Sequence, residues 1–375
     1  MIYLDNNATT FLDPQVAETL EAFLQNPLGN PSSIHRVGQR AKGVLFASLG
    51  QVAAHFGVSP RELVFTSGAT EGLNTLIRSL PQNGHLITSS LEHVAILEAA
   101  KQFQGSVTFL DPLEGRGAIT KEQVERAIQS STSLILLSST NNETGIETDI
   151  EAIGEIALQN QIPFAVDAVA TLGKKPFKLP PGVGAACFSG HKIHAPQGIG
   201  VVVVRKGFPW HPLILGGPQQ GEKRGGTENL LGIVGFAKAL ELAHDHLARA
   251  PQQMEELRNL LEEGLLKNLP DLVIHGKEER RIGNISNIGF VGVEGETLLM
   301  QLDLKGICVS HGSACSSGTM ATSRVLQNMG MPGSVARSSL RFSLSRFTTL
   351  EEIEATISEV TTLVTSLRSL SHIPV

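Results

Sequence analysis

Cysteine is scarce in this chain: three residues in 375, none in a CxxC pair. So few exclude a disulfide framework; reduced thiols are expected, one of them a candidate for reactivity. Charge is sparse as well, at 18% of residues with a net −6, and no block of lysine or arginine occurs. Nucleic acid and acidic membranes therefore find no electrostatic support as partners, and so low a charge argues against disorder. No apolar run approaches the length of a membrane span. The segment Met1–Asp5 lacks the basic and apolar regions of an export signal, so a cytoplasmic location is expected. Internal repeats and low-complexity tracts are missing too. What the chain does have is 41% hydrophobic residues and 38 glycines, the composition of a compact soluble enzyme with many tight turns. Its length favours two domains.

Short β-rich runs alternate with helical patterns. Candidate strands are Leu63–Thr66, His85–Ser89, Ser106–Leu110, Ser133–Ser138, Ile162–Val166, Gly184–Phe188 and Ile199–Arg205. Between several of them stand capping-box pairs: Ser59 with Glu62, Ser89 with Glu92, Thr120 with Gln123 and Thr148 with Glu151. The alternation predicts an α/β fold, a large domain whose mostly parallel sheet lies between helices. Ligands in such sheets bind beyond the carboxyl ends of the strands. From about Thr227 the pattern changes to long helices over Leu230–His246 and Gln252–Leu269, broken near Pro251. Short strands follow at Leu272–His275, Ile285–Phe290, Gly306–Ser310 and Ser338–Leu344, and Thr348 with Glu351 opens a last helix. The expected division is a large domain over 13–248, and a smaller α+β domain over 1–12 and 249–375.

Lys192 stands just beyond the apolar run Ala185–Phe188, beside Ser189 and His191. A lysine there is badly placed for a solvated role. It is well placed as a desolvated amine that forms a Schiff base with a carbonyl cofactor. Such a cofactor, if it were pyridoxal phosphate, would need an anion cradle, a carboxylate opposite the pyridine nitrogen and a group packed on the ring. Each has a candidate. The turn Thr66–Glu71 leads from a strand into a helix, so it is either an anion site at the helix N-terminus or a plainly capped helix. Asp167 ends the strand Phe164–Val166, as a partner for a ring nitrogen or as an ordinary N-cap. His93 follows the strand His85–Ser89, and Asn141 and Asn142 follow another. Gly225–Asn229 is a second glycine turn that opens a helix.

Cys315 lies in the Gly/Ser-rich loop Gly312–Thr319. A thiol there need not pack, which suits a travelling nucleophile. Cys187 and Cys308 sit in apolar strands and read as inert. Arg341 alternates with apolar residues on a strand. It serves either an internal salt bridge or a bidentate grip on a substrate carboxylate.

Taken with the segments Tyr3–Thr10, Gly29–His35, Phe65–Glu71, Glu92–His93, Asn141–Gly145, Val166–Ala168, Ser189–Lys192, Arg224–Thr227, Gly312–Cys315 and Arg341–Thr349, the chain resembles the cysteine desulfurases almost end to end. These belong to the class V aminotransferase group of fold-type I pyridoxal phosphate enzymes. The resemblance implies a large domain with a seven-stranded sheet and a homodimer. It implies that Lys192 carries the cofactor pyridoxal 5'-phosphate, that Asp167 pairs with the ring nitrogen, and that His93 stacks on the ring. Asn142 would contact the ring hydroxyl. Ala69, Thr70, Ser189 and His191 would hold the phosphate, with Thr227 reaching that of the neighbouring subunit. Arg341, with Asn30, would bind the carboxylate of L-cysteine. Cys315 would become a persulfide and pass its sulfur to a protein acceptor, such as an iron–sulfur scaffold. No metal site is expected.

Three departures stand out. Ala170 occupies a position where the family usually has a glutamine bonded to the ring hydroxyl, a bond worth on the order of 1 kcal/mol. His194 replaces a common tyrosine. Ser316–Ser323 lacks a Glu-Pro pair often found there. The alternatives are a selenocysteine or cystine lyase of the same fold, and a catalytically reduced sulfur-carrier scaffold.

Overall fold

The computed structural model describes residues 1–26, 29–312 and 322–370. Seven strands form the main sheet: β2 (Leu63–Thr66), β3 (His85–Ser89), β4 (Ser106–Leu110), β5 (Thr132–Ser138), β6 (Phe164–Asp167), β7 (Ala185–Ser189) and β8 (Gly200–Val204), in the order β2-β8-β7-β6-β5-β3-β4. Pairing is parallel from β4 through β7, and β8 runs antiparallel to both of its neighbours. This is the mostly parallel sheet expected from the alternating pattern.

Burial on both faces explains the near-continuous apolar runs. Side chains alternate between faces along a strand. Ile135, Leu137, Val166, Phe188, Val201 and Val203 face one core, which is closed by the helices Pro14–Leu24, Arg36–Phe56, Ile150–Gln159 and Leu230–His246. Leu134, Leu136, Ala165, Cys187, Val202 and Val204 face the other, under the helices Ala69–Arg78 and Val94–Lys101. Each valine- or leucine-sized side chain buried this way contributes roughly 1.5–3 kcal/mol.

A third core gathers Leu4 with residues from the helices Ala250–Asn268, Gly295–Leu304 and Leu350–Leu370. Its strands are β9 (Leu272–Ile274), β10 (Ile285–Phe290) and β12 (Ser339–Ser343), antiparallel in the order β12-β10-β9. β1 (Ile2–Tyr3) pairs in parallel with β11 (Ile307–Cys308). The chain start is thus built into the C-terminal part of the fold. Just after β1, Asp5 bridges to Ser343, and Ser310 bridges to Arg341.

Helix starts depart from the sequence expectation by one residue at two boxes and by four at a third. The boxes at Ser59 and Thr120 form. Thr148 yields to Asp149, whose carboxylate accepts from Ala152 N, since a carboxylate is a stronger cap acceptor than a threonine hydroxyl. Thr348 is engaged by Ser345 N, and the reciprocal pair is Thr349 with Glu352. Ser89 donates to the Glu92 carboxylate within a turn, while His93 caps the following helix. Pro251 sits in the first turn of Ala250–Asn268 rather than ending a helix, a position where its missing N–H costs nothing.

Candidate active site

Strands β2, β3, β5, β6 and β7 all point their carboxyl ends to one side, because β2 and β7 are each antiparallel to β8. The residues just past those ends line a cavity of about 480 Å³. Ser67–Thr70 arrive from β2, His93 from β3, Ser138, Thr140 and Asn142 from β5. Asp167, Val169 and Ala170 arrive from β6, Ser189, His191 and Lys192 from β7. Arg341 of β12 and Asn7–Thr9 close it from the other side.

Lys192 closes a single 3-10 turn, Gly190–Lys192, directly after β7. Its Nζ donates to the carbonyl oxygens of Asn7 and Ala8, at 2.6 Å each. Its own carbonyl accepts from Lys174 Nζ at 2.5 Å. Lys174 is buried, and burial, with Arg346 and Lys192 nearby, lowers its amine to about 7. His191 is tied to the N-terminal segment through Thr9 and Thr10. Burial, with Lys192 beside it, lowers His191 to about 4.

Asp167 is the last residue of β6, and its Oδ1 accepts from Val169 N at 3.0 Å. Burial pushes its carboxyl up to about 6. A second buried carboxyl lies close by. Glu92 accepts from Ser89 Oγ at 2.6 Å and from both Ser138 N and Ser138 Oγ, and burial raises it to about 7. Of the two acids only Asp167 lines the cavity, and a buried carboxylate there favours a cationic guest. His93 caps the helix Val94–Lys101 by accepting from Ala95 N at its Nδ1, 3.1 Å away. That bond leaves the ring proton on Nε2. Burial foremost, then Lys192 and Arg324, lowers His93 to about 4. The ring is neutral at pH 7 and its plane is set by the cap.

The asparagine pair divides its labour. Asn141 is structural: its Oδ1 accepts from Glu143 N and Thr144 N, and its Nδ2 donates to Leu91 O. Asn142 is the one that lines the cavity. Gly68 caps the helix Ala69–Arg78 with no side-chain acceptor, so first-turn N–H groups stay available. A Cβ on Gly68 would point toward Ser189 Oγ, 3.9 Å away. The cradle is therefore bounded by a helix N-terminus and a serine hydroxyl, and a side chain at position 68 would intrude on it. Donors of this kind suit a phosphate, and Asp167 suits a protonated ring nitrogen. The residues present fit pyridoxal phosphate.

Not every candidate lies here. Asn30 is exposed and accepts from Ser32 N, outside the cavity lining, and Thr227 is exposed and also outside it. Cys315 lies outside the described residues. Cys187 is buried, and burial raises its thiol well above the usual range. Cys308 is half-buried, with its thiol raised by burial. Ala170 presents a methyl group to the cavity, while neighbouring Thr140 Oγ1 pairs with Thr171 Oγ1 at 2.9 Å. His194 adopts a positive φ of 67° and bonds through Nδ1 to Phe11 O. Sequence reasoning gave no role to Asn7, Ala8, Thr9, Ser138, Lys174 or Gln197. The polar run Asp5–Thr10 was the one available signal.

The aminotransferase class-V family model matches residues 2–356. A cysteine desulfurase of Trichormus azollae is 42% identical over 379 aligned residues, covering 99% of this chain and 94% of the relative. Among solved structures, a NifS-like protein superposes with a TM-score of 0.90 at 34% identity, covering 97% of this chain and 99% of its own. A structure of SspA in complex with cysteine superposes with a TM-score of 0.80 at 29% identity, covering 93% of this chain and 100% of that one.

Proposed function

The chain belongs to the aminotransferase class-V family, and from that premise we propose that it is a pyridoxal phosphate-dependent cysteine desulfurase. One observation carries the reading: Lys192, Asp167, His93 and an open helix N-terminus converge on a single cavity at the carboxyl ends of five strands. When bound, pyridoxal phosphate supplies a carbonyl carbon for an amine and a ring that accepts the electron pair from Cα.

This chain's residues do the rest. Ala69, Thr70, Ser189 and His191 hold the phosphate. Asp167 balances the charge at the ring nitrogen, His93 packs on the ring face, and Asn142 serves the ring hydroxyl. Arg341 grips the substrate carboxylate. Released Lys192 takes the Cα proton, and the carbonyl oxygens of Asn7 and Ala8 hold its amine within the cavity. The Cys315 thiol takes the sulfur atom of L-cysteine, leaving L-alanine and a persulfide on the protein. The persulfide goes to a protein acceptor, with iron–sulfur assembly the destination that the family resemblance favours.

A cytoplasmic homodimer completes the reading. Among the described residues no helix is long and apolar enough to cross a membrane. Ile34, Phe46 and Leu215 expose large apolar surfaces, and exposed Thr227 lies outside its own chain's cavity, as a contribution to a neighbour requires. We read residues 13–248 as the cofactor-binding domain, and 1–12 with 249–375 as the second.

The test is direct. The purified protein should be yellow with pyridoxal phosphate and release sulfide from L-cysteine in the presence of reductant. Cys315→Ala should stay yellow and lose that release. Full activity in Cys315→Ala would overturn the persulfide route. Activity on selenocysteine alone would favour the lyase, and failure to take up the cofactor would favour the sulfur-carrier scaffold.

A further inference from the structure

Arg341 is 1% exposed, and its charge is met inside the protein. Its Nη2 donates to Asp5 Oδ1 at 2.8 Å and its Nη1 to the carbonyl of Asn142 at 3.0 Å. Its Nε has no hydrogen-bond partner among the described residues. Arg341 also lines the cavity, together with Asn7, Asn142 and Lys192. One arginine therefore faces the cavity while already holding a carboxylate.

Asp5 cannot leave by a simple swing of its backbone. Leu4 N donates to Cys308 O at 2.8 Å, Asn6 N to Ser343 O at 3.2 Å, and Asn7 N to Ser343 Oγ at 2.9 Å. The strand-like path on both sides of Asp5 is pinned, so its backbone keeps the carboxylate within reach of Arg341 when a second anion arrives. Two carboxylates on one guanidinium repel each other, and the second to bind gains less than it would from an unpaired cation.

We propose that Asp5 is an internal carboxylate that holds Arg341 in the substrate-free protein and competes with the carboxylate of the incoming amino acid, so setting how tightly the site takes its substrate. The inference rests on the reading of Arg341 as the carboxylate grip. Asp5 touches neither the reacting atoms nor the cofactor pocket; it acts through Arg341. The free protein avoids an isolated buried cation, and the bound amino acid is held loosely enough to exchange.

The experiment is a titration of the holoprotein with L-alanine, followed by the change in visible absorbance, in wild type and Asp5→Asn. The half-saturation concentration should fall roughly three- to tenfold in the variant. Isopropylamine, which lacks a carboxylate, should titrate alike in both. KM for L-cysteine should fall in step, with kcat changed by less than about twofold. An unchanged or raised half-saturation for L-alanine overturns the proposal, and a raised value identifies Asp5 as a residue that merely orients Arg341. Should Asp5→Asn not fold, Asp5→Ser, which admits water to Arg341, reads the same shift. Failure of both to fold also overturns it, because a competing partner must be dispensable to the fold. Alanine binding needs no sulfur chemistry. A protein that responds to alanine as expected but releases no sulfide loses the desulfurase reading alone, and one that desulfurates with unshifted alanine affinity loses this inference alone.

Discussion

The buried Lys174 donates through Nζ to the main-chain carbonyl of the half-buried Lys192 at 2.5 Å, so one lysine seats another. The contact lies at the end of the 3-10 turn Gly190–Lys192, while the amine of Lys192 itself reaches Asn7 and Ala8.

Burial is the main cause that lowers Lys174 from its ordinary 10.5 to about 7. The sign follows. The unfolded chain holds this proton up to the ordinary value, while the folded protein loses it near 7. Between those values the unfolded state binds more protons, so stability rises with pH, and the cost of the buried charge is full only below about 7. Lys174→Met should abolish that rise. Thermal melting of cofactor-free protein across this range, wild type against variant, checks it. The variant also leaves the Lys192 carbonyl without its donor, at about 1–3 kcal/mol, so cofactor affinity should fall as well.

Asp167 should show opposite signs for stability and activity. Burial raises its carboxyl from 3.8 to about 6, so in cofactor-free protein its ionised form is penalised above that value. Asp167→Asn should therefore melt higher than wild type above about pH 6, and the gap should close toward pH 4. Desulfuration in the loaded variant should drop on the order of a hundredfold, since the proposed function makes Asp167 the preorganised charge partner of the ring nitrogen. Melting curves and turnover from the same preparations test both halves.

His93 caps a helix, and the proposed function gives it a second, separable job as the ring face. His93→Ala removes both and should cost about 1 kcal/mol of stability. His93→Asn restores an acceptor for Ala95 N and should recover the stability while leaving turnover low. Because His93 titrates near 4, an acid limb of the rate profile between about pH 5 and pH 8 belongs to another group and should persist in His93→Asn. Chemical denaturation paired with pH-dependent rates distinguishes these outcomes.

Most of the large sheet was legible because its strands are buried on two faces, which leaves uninterrupted runs such as Leu134–Leu137 and Val201–Val204 between turn residues. The residues at the strand ends were legible for a related reason: a carboxylate or lysine directly after such a run must point into a crevice. Helix starts were legible only approximately: Asp149 and Thr349 take the cap from the residue before them, and His93 caps four residues beyond Ser89. Asn141 and Asn142 could not be told apart by local reasoning. The resemblance singled out the second, and the turn geometry puts that one on the cavity while the first closes the turn.

The amino-acid sequence alone determined the α/β architecture and the chemical class of the site, because apolar periodicity and the residues that interrupt it are local properties. Tertiary structure decided what surrounds each reacting group. Arg341 and Asp5 are 336 residues apart, and their ion pair exists because β1 joins β11 beside β12. The hold of Asn7 and Ala8 on Lys192 has the same origin. Contacts of this kind depend on the path of the whole chain, and no window of sequence carries that path.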